Sequence, residues 1–579
     1  MRRRILAPFS SALLLALLAA CSEREQPNPA TPDPASSAEV TPAARTAELD
    51  FPALNALVRS SVTPEYLREI VAELSSDAYE GRAPGSEGDR MTQAYLADAL
   101  QVLGYQPGGT EGYLQPFELI SINAQQPSEW IFNSGDRTLR LERNEDFIAA
   151  SGVQASEARV VNAEVVFVGY GIQAPEYQWD DFKGENLRGK ILLMLNNDPD
   201  WDPELFAGET RLYYGRWDYK YESAARQGAA GAIIIHTQPS AGYPWQVVQT
   251  SWTGEQFQLP AGDEPRLQIN SWITEDAARE LLELVGMDLD ELVAAARERD
   301  FQPTPLGILT SLTLPVEVKR TRTANVIGVL PGSDPDLADE VVVYTAHHDH
   351  LGVSEDETAE DRIYNGALDN ASGVAVILGV AKAIAALPEA PRRTTVINFV
   401  GAEEQGLLGS LYYAQNPTYP PGKIAANINV DGASIWGRSR DLTYIGFGKS
   451  SLDAVVQEVA AFQNRTVTPD QFPDRGSFYR SDQFSFARIG VPAVYLDGGT
   501  DIIGQPPGWG EEQVNRYTDL HYHQPSDELD DTWTFDGVVD DVLTNFLVGM
   551  RVANADEMPT WNPGDEFEAA RLEALRAVE

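Results

Sequence analysis

The sequence predicts an α/β fold: a mostly parallel, doubly wound sheet with helices on both faces, interrupted by an inserted β-rich unit. Three observations predict it. After residue 305, short apolar runs alternate with helical patterns, which implies parallel strands covered on both sides. Between residues 155 and 305 the pattern turns strand-rich and carries no obvious chemistry. The later apolar runs end in carboxylates and imidazoles, and an α/β sheet gathers its ligands at the carboxyl ends of its strands.

The chain has 579 residues, more than one ordinary domain. It carries 43 basic and 87 acidic side chains, a net charge of −44. Such a surface excludes nucleic-acid phosphate as a natural partner. The N-terminus pairs a basic Arg2-Arg3-Arg4 with an apolar stretch from Ile5 to Ala20, shorter than the ~20 residues that span a membrane. It ends Leu18-Ala19-Ala20-Cys21, the one cysteine, so no internal disulfide forms. This resembles a bacterial lipoprotein signal (residues 1–21), with Cys21 lipidated; a plain secretory signal is the other reading. Ser22 in place of an aspartate points to the outer membrane, so the expected protein is exported and lipid-anchored, facing the periplasm. Residues 22–50 are rich in Pro, Ala, Ser, Thr and Glu and read as a flexible tether.

Folded protein is expected from Phe51. Thr63-Pro64-Glu65 is an N-cap followed by proline, opening a helix that turns Leu67, Ile70, Val71 and Leu74 inward. A glycine-rich loop, Glu80-Gly81-Arg82-Ala83-Pro84-Gly85, lacks the ending of a phosphate loop. A second amphipathic helix runs from Met91 to Leu103. Strands are expected over Tyr113 to Ile122 and Glu129 to Phe147. These complete a first part of the main domain, residues 51–154. The insert, 155–305, holds strands at 165–171, 190–195 and 231–236; its His236 reads as structural. The second part, 306–555, alternates strands at 323–330, 341–346, 394–400, 424–430 and 492–496 with helices at 372–386, 404–413, 451–462 and 536–553. A charged C-terminal helix, within 556–579, presents Phe567, Leu572 and Leu575 as its apolar stripe.

Half of the six histidines sit in Ala346-His347-His348-Asp349-His350, directly after Val341-Val342-Val343-Tyr344. His347 and Asp349 are two apart and share a side of an extended chain. Asp369 stands at the mouth of a small-residue turn. Glu403 and Glu404 end the next strand, Asp431 the one after, and His521 and His523 come late. Adjacent glutamates away from bulk water need compensating positive charge. His347, Asp369, Glu404, Asp431 and His523 together offer a cage for two Zn²⁺ ions, since zinc takes imidazole nitrogen and carboxylate oxygen. With one carboxylate bridging, the ions would lie about 3.5–4 Å apart, share a hydroxide and polarise a carbonyl. Glu403 is then free as a general base.

These runs resemble the M28 family of zinc aminopeptidases with an inserted protease-associated domain. The matching segments are Ala346-His347-His348-Asp349-His350, Asp369-Asn370-Ala371-Ser372-Gly373, Ala402-Glu403-Glu404-Gln405-Gly406, Asn429-Val430-Asp431 and Tyr522-His523-Gln524-Pro525-Ser526-Asp527. The early Glu80–Ser86 loop matches as well. The resemblance implies a zinc-peptidase (phosphorylase/hydrolase-like) fold and hydrolysis of N-terminal residues from peptide substrates. It puts His347 and Asp431 on one zinc, Glu404 and His523 on the other, and Asp369 between. It makes Asp349 the partner of His347, Glu403 the base and Tyr522 a donor to the developing oxyanion. His348, His350 and His521 are bystanders in this reading. Arg480 and Asp482 lie on a substrate-side loop, where Gln483 stands in place of the family's frequent histidine. Two alternatives stay open: a carboxypeptidase of the same fold, using Arg475, Arg480 or Arg488 on a terminal carboxylate, and a non-catalytic binding protein. No Gly-x-Ser-x-Gly elbow or His-Glu-x-x-His motif occurs.

Overall fold

The computed structural model describes residues 49–202, 205–354 and 357–579. The expected signal segment, Cys21 and the tether up to residue 48 lie outside the described residues.

The main sheet has a parallel centre. Thr394–Val400, Val341–His347, Ile424–Asn429 and Ala493–Gly498 lie side by side in that order, all parallel. The antiparallel strands Thr304–Leu330 and Leu114–Ala124 extend one flank. Asp441–Ile445 and Thr466–Pro469 extend the other. The β-branched run explains the centre. Val342, Tyr344 and Ala346 pack into one core and Val341 and Val343 into another, as alternation on a strand covered on both faces requires. Helices Pro64–Leu74, Gly373–Ala385 and Asp536–Asn554 fill the first side; Tyr413 and Phe486, from helices Leu408–Gln415 and Gln483–Arg488, fill the second.

Strand Thr304–Leu330 is 27 residues long and belongs to two sheets. Its start pairs with Glu129–Ser134 and Glu157–Phe167, and its later half with Leu114–Ala124. Its side chains alternate buried and exposed from Leu306 to Val316, the period expected of a half-covered strand. The second sheet continues through Ile191–Leu195, Gly231–His236 and Ile269–Thr274 in parallel, then antiparallel to Phe147–Ser151.

Glu129–Ser134, Arg137–Glu142 and Phe147–Ser151 join the second sheet. Strand Thr304–Leu330 passes from the second sheet to the first near residue 315, and Glu255–Gln258 pairs with Leu114–Ala124 in the first. Apolar alternation looks the same whichever sheet a strand joins, so it did not mark the crossing.

Two helices also differ from expectation. The helix expected from Glu404 starts at Leu408, because residues 401–407 turn, with Ala402 and Leu407 at φ +59° and +61°. In the C-terminal helix Glu568–Arg576, Phe567 and Arg571 face inward while Leu572 is 45% exposed. The guanidinium of Arg571 donates to the Ile424 and Pro421 carbonyls, which an apolar stripe cannot do.

Candidate metal centre

The carboxyl ends of the central strands bring five of the expected residues together. His347 closes its strand with its ring 1% exposed, and Nε2 lies 3.2 Å from Asp369 Oδ1 and 3.1 Å from Asp431 Oδ1. His523 approaches from the far side. Its Nε2 lies 3.2 Å from Asp369 Oδ2 and 3.0 Å from Glu404 Oε2. Asp369 therefore presents one oxygen to each imidazole.

The loops carrying these residues are tied to one another. Asp527 accepts from the backbone N–H groups of Leu368 and Asp369 at 3.0 and 3.1 Å, fixing the turn that aims Asp369. Asn370 donates to the Val430 carbonyl and accepts from the Gly432 N–H, linking that turn to the strand end bearing Asp431. The Tyr495 hydroxyl donates to the Asp431 carbonyl at 3.2 Å. His523 holds a left-handed backbone, φ +58°, a conformation a non-glycine residue keeps only where its surroundings impose it.

Two expected roles meet a different geometry. The Asp349 carboxylate stands 3.8 Å from His347 Nδ1, too far for a hydrogen bond. It accepts instead from the Glu403 and Glu404 backbone N–H groups at 3.0 and 3.4 Å, while His347 Nδ1 faces the Asp349 carbonyl at 3.3 Å. Asp349 thus holds the adjacent glutamates. His350, read as a bystander, places Nδ1 2.6 Å from Glu404 Oε1 and orients that carboxylate. Its place directly beyond the His-x-Asp pair was the available signal. Asp482 is fully buried, unlike Arg480 two residues before it.

The remaining histidines are accounted for elsewhere. His348 pairs with buried Asp89 at 3.2 Å, His521 bonds Ser526 at the surface, and His236 meets the Tyr243 carbonyl at 3.0 Å. Arg480 is exposed. Tyr522 is 38% exposed and stacks on His523 at 3.9 Å. Gln483 is a buried staple between Asn429 and the Phe478 carbonyl. Arg475 lies over Phe472, and Arg488 lies over Tyr213 and 3.8 Å from Glu222.

Electrostatics show how strongly the acids act on their neighbours. Burial alone would lower the His347 pKa; Glu403, Asp431 and the contacts to Asp369 and Asp431 outweigh it and hold it well above the usual value. His523 is raised in the same way, against burial, mainly by Glu404. Burial tends to raise Glu404, and so does Asp369, but His523 and His350 pull it down to about 2. Glu403 goes the other way: burial first, then Asp431 and Glu404, push it well above a normal carboxylate.

The residues fit a pair of divalent cations. His523 Nε2 is buried and makes no aligned hydrogen bond, although two carboxylate oxygens stand close by. A nitrogen and oxygens that converge without bonding one another are arranged for a shared central atom. Among the described residues, three overlapping groups offer donor atoms all within 4.8 Å: His347–Asp369–Asp431, His347–Glu403–Glu404 and His350–Asp369–Glu404.

Residues 325–546 match the model of Peptidase family M28. The chain is 27% identical to leupeptin-inactivating enzyme 1 of Streptomyces exfoliatus over 209 residues, 35% of this chain and 43% of that protein. It thus spans less than half the length of that relative. It is 23% identical to aminopeptidase YwaD of Bacillus subtilis (strain 168), over 85% of this chain and 84% of the other. Among solved structures, an aminopeptidase from Aneurinibacillus sp. strain AM-1 aligns at 21% identity and TM-score 0.49, covering 88% of this chain and 97% of that one.

Proposed function

We propose, from the match of residues 325–546 to the model of Peptidase family M28 and from the geometry of the centre, that the chain is a two-zinc metallo-aminopeptidase hydrolysing N-terminal residues from peptides. The observation that carries the reading is the Asp369 carboxylate, with His347 3.2 Å from one oxygen and His523 3.2 Å from the other. His347 and Asp431 would hold one zinc, Glu404 and His523 the second, with the Asp369 carboxylate available to both. When bound, the ions supply Lewis acidity toward the scissile carbonyl and make water a better nucleophile.

The protein's own groups do the rest. Glu403 takes the proton of the attacking water and returns it to the leaving amine as the C–N bond breaks. Asp349 fixes the base by holding its backbone N–H. The Tyr522 hydroxyl donates to the oxygen on which charge develops. Arg480 and Asp482 remain the candidate contacts for substrate.

The protease-associated insert supports one wall of the cleft. Arg211 N–H donates to the Pro473 carbonyl at 3.0 Å, and Tyr213 meets Phe484 at 5.0 Å, both beside the segment bearing Arg480. The N-terminal pattern supports export and anchoring through a lipid on Cys21. Cys21→Ser should release the protein from the membrane fraction; unchanged membrane association would reject the anchor.

The discriminating experiment offers matched peptides with a free or an acetylated N-terminus. The proposal expects cleavage of the first residue from the free form alone. Release of the C-terminal residue from both forms would replace it with the carboxypeptidase reading.

A further inference from the structure

We propose that Arg82 is a positioning residue of the metal centre: its guanidinium sets the separation of the segments that carry His347 and Asp369. The inference rests on the two-metal reading and extends it to a residue outside the centre.

Arg82 is 1% exposed, and its side chain reaches three separate stretches of backbone. Nε donates to the His348 carbonyl at 3.0 Å, one residue beyond His347. Nη2 donates to the Gly366 carbonyl at 2.9 Å, three residues before Asp369. Nη1 donates to the Asn365 and Leu74 carbonyls, both at 2.6 Å. The planar fork is therefore spent on main-chain oxygens, and no carboxylate pairs with it directly. A buried guanidinium engaged in this way acts as a rigid spacer, which the single point charge of a lysine cannot reproduce.

The loop carrying Arg82 is built to hold it. Glu80, Gly81 and Arg82 take φ of +47°, +64° and +54° in succession, so the backbone turns left-handed just where the side chain enters. A side chain at Gly81 would strike the main-chain oxygens of Gly352 and Tyr364. The Arg82 carbonyl in turn accepts from His350 N–H at 3.4 Å, and Asp89 anchors both the Gly85 N–H and His348. The guanidinium's bonds thus land on the two ligand-bearing segments and on the end of helix Pro64–Leu74.

Arg393 provides a matched control. It is equally buried and donates to Glu340 and to the Val552 and Ala555 carbonyls, at the opposite end of the sheet. The test compares wild type, Arg82→Lys and Arg393→Lys in competition with a chromophoric zinc chelator, with thermal unfolding measured with and without zinc. Arg82→Lys is expected to bind zinc at least tenfold more weakly and to lose most of the zinc-dependent rise in Tm. Arg393→Lys is expected to lower Tm while keeping wild-type zinc affinity. Equal zinc affinity in Arg82→Lys and wild type, or equal losses in both variants, would overturn the proposal. If Arg82→Lys does not fold, Gly81→Ala carries the test, since it shifts the loop and keeps the guanidinium; wild-type affinity there would overturn it. A wild type that binds no zinc would instead refute the metal reading itself.

Discussion

His347 and His523 stand on opposite oxygens of one carboxylate, each with Nε2 3.2 Å from its own oxygen of Asp369. No other side chain in the centre is placed between the two imidazoles in this way. Asp369→Ala is therefore expected to lower the zinc content of both sites, not one. Metal analysis after gel filtration reads this directly; retention of two zinc ions per chain would remove Asp369 from the bridging position.

Glu403 is expected to act on protons and not to hold metal. Glu403→Gln keeps the shape and should keep zinc stoichiometry while lowering kcat at least ~100-fold, the scale of a positioned acid–base. A variant with full turnover would move the base elsewhere, and one that loses zinc would make Glu403 a ligand.

Tyr522 stacks on His523 with ring centroids 3.9 Å apart and the rings 25° from parallel, and its hydroxyl is the proposed oxyanion donor. Tyr522→Phe preserves the stack. It should lower kcat by about 100-fold with KM and zinc content little changed, as loss of one oxyanion donor does. Unchanged kcat would leave the tyrosine as packing only.

Arg571 ties the C-terminal helix to the start of a central strand through the Ile424 carbonyl at 3.0 Å. Arg571→Ala leaves buried carbonyls unpaired and should cost about 2–4 kcal/mol in urea unfolding. A loss below ~0.5 kcal/mol would show that the helix is a surface appendage.

Asp453 supplies a pH signature remote from the centre. Burial lifts its carboxyl to about 6, against the Gly448 N–H and the Tyr444 hydroxyl, which favour the anion. A carboxyl raised on folding stabilises most while it is protonated, so its contribution fades as pH rises from about 4 through 6. Asp453→Asn should match wild type near pH 4 and exceed it in Tm at pH 7. Parallel Tm curves across that range would contradict the assignment.

The central strands were legible because each is covered on both faces, so that Val341 to Tyr344 is a continuous apolar run and Thr394 to Val400 is mostly β-branched and apolar, broken by Asn398. The polar groups at their ends were legible for the complementary reason: the apolar run stops where the backbone leaves the core. What escaped depends on contacts made across the fold. The His350–Glu404 and His348–Asp89 pairs join residues 54 and 259 positions apart, and local pattern carries no trace of either. The local His-x-Asp spacing suggested a side-chain pair, whereas Asp349 turns to the backbone of Glu403 and Glu404. The strand Thr304–Leu330 keeps its alternation through the point where it changes sheets, so no break in the pattern announced the change.

The central claim is a peptidase centre that needs two metal ions around Asp369. The most direct measurement strips the protein with chelator and follows hydrolysis of an aminoacyl-nitroanilide as zinc is added back. The account predicts no hydrolysis in the stripped protein and full recovery at two equivalents of zinc per chain. Undiminished hydrolysis after complete metal removal would contradict it.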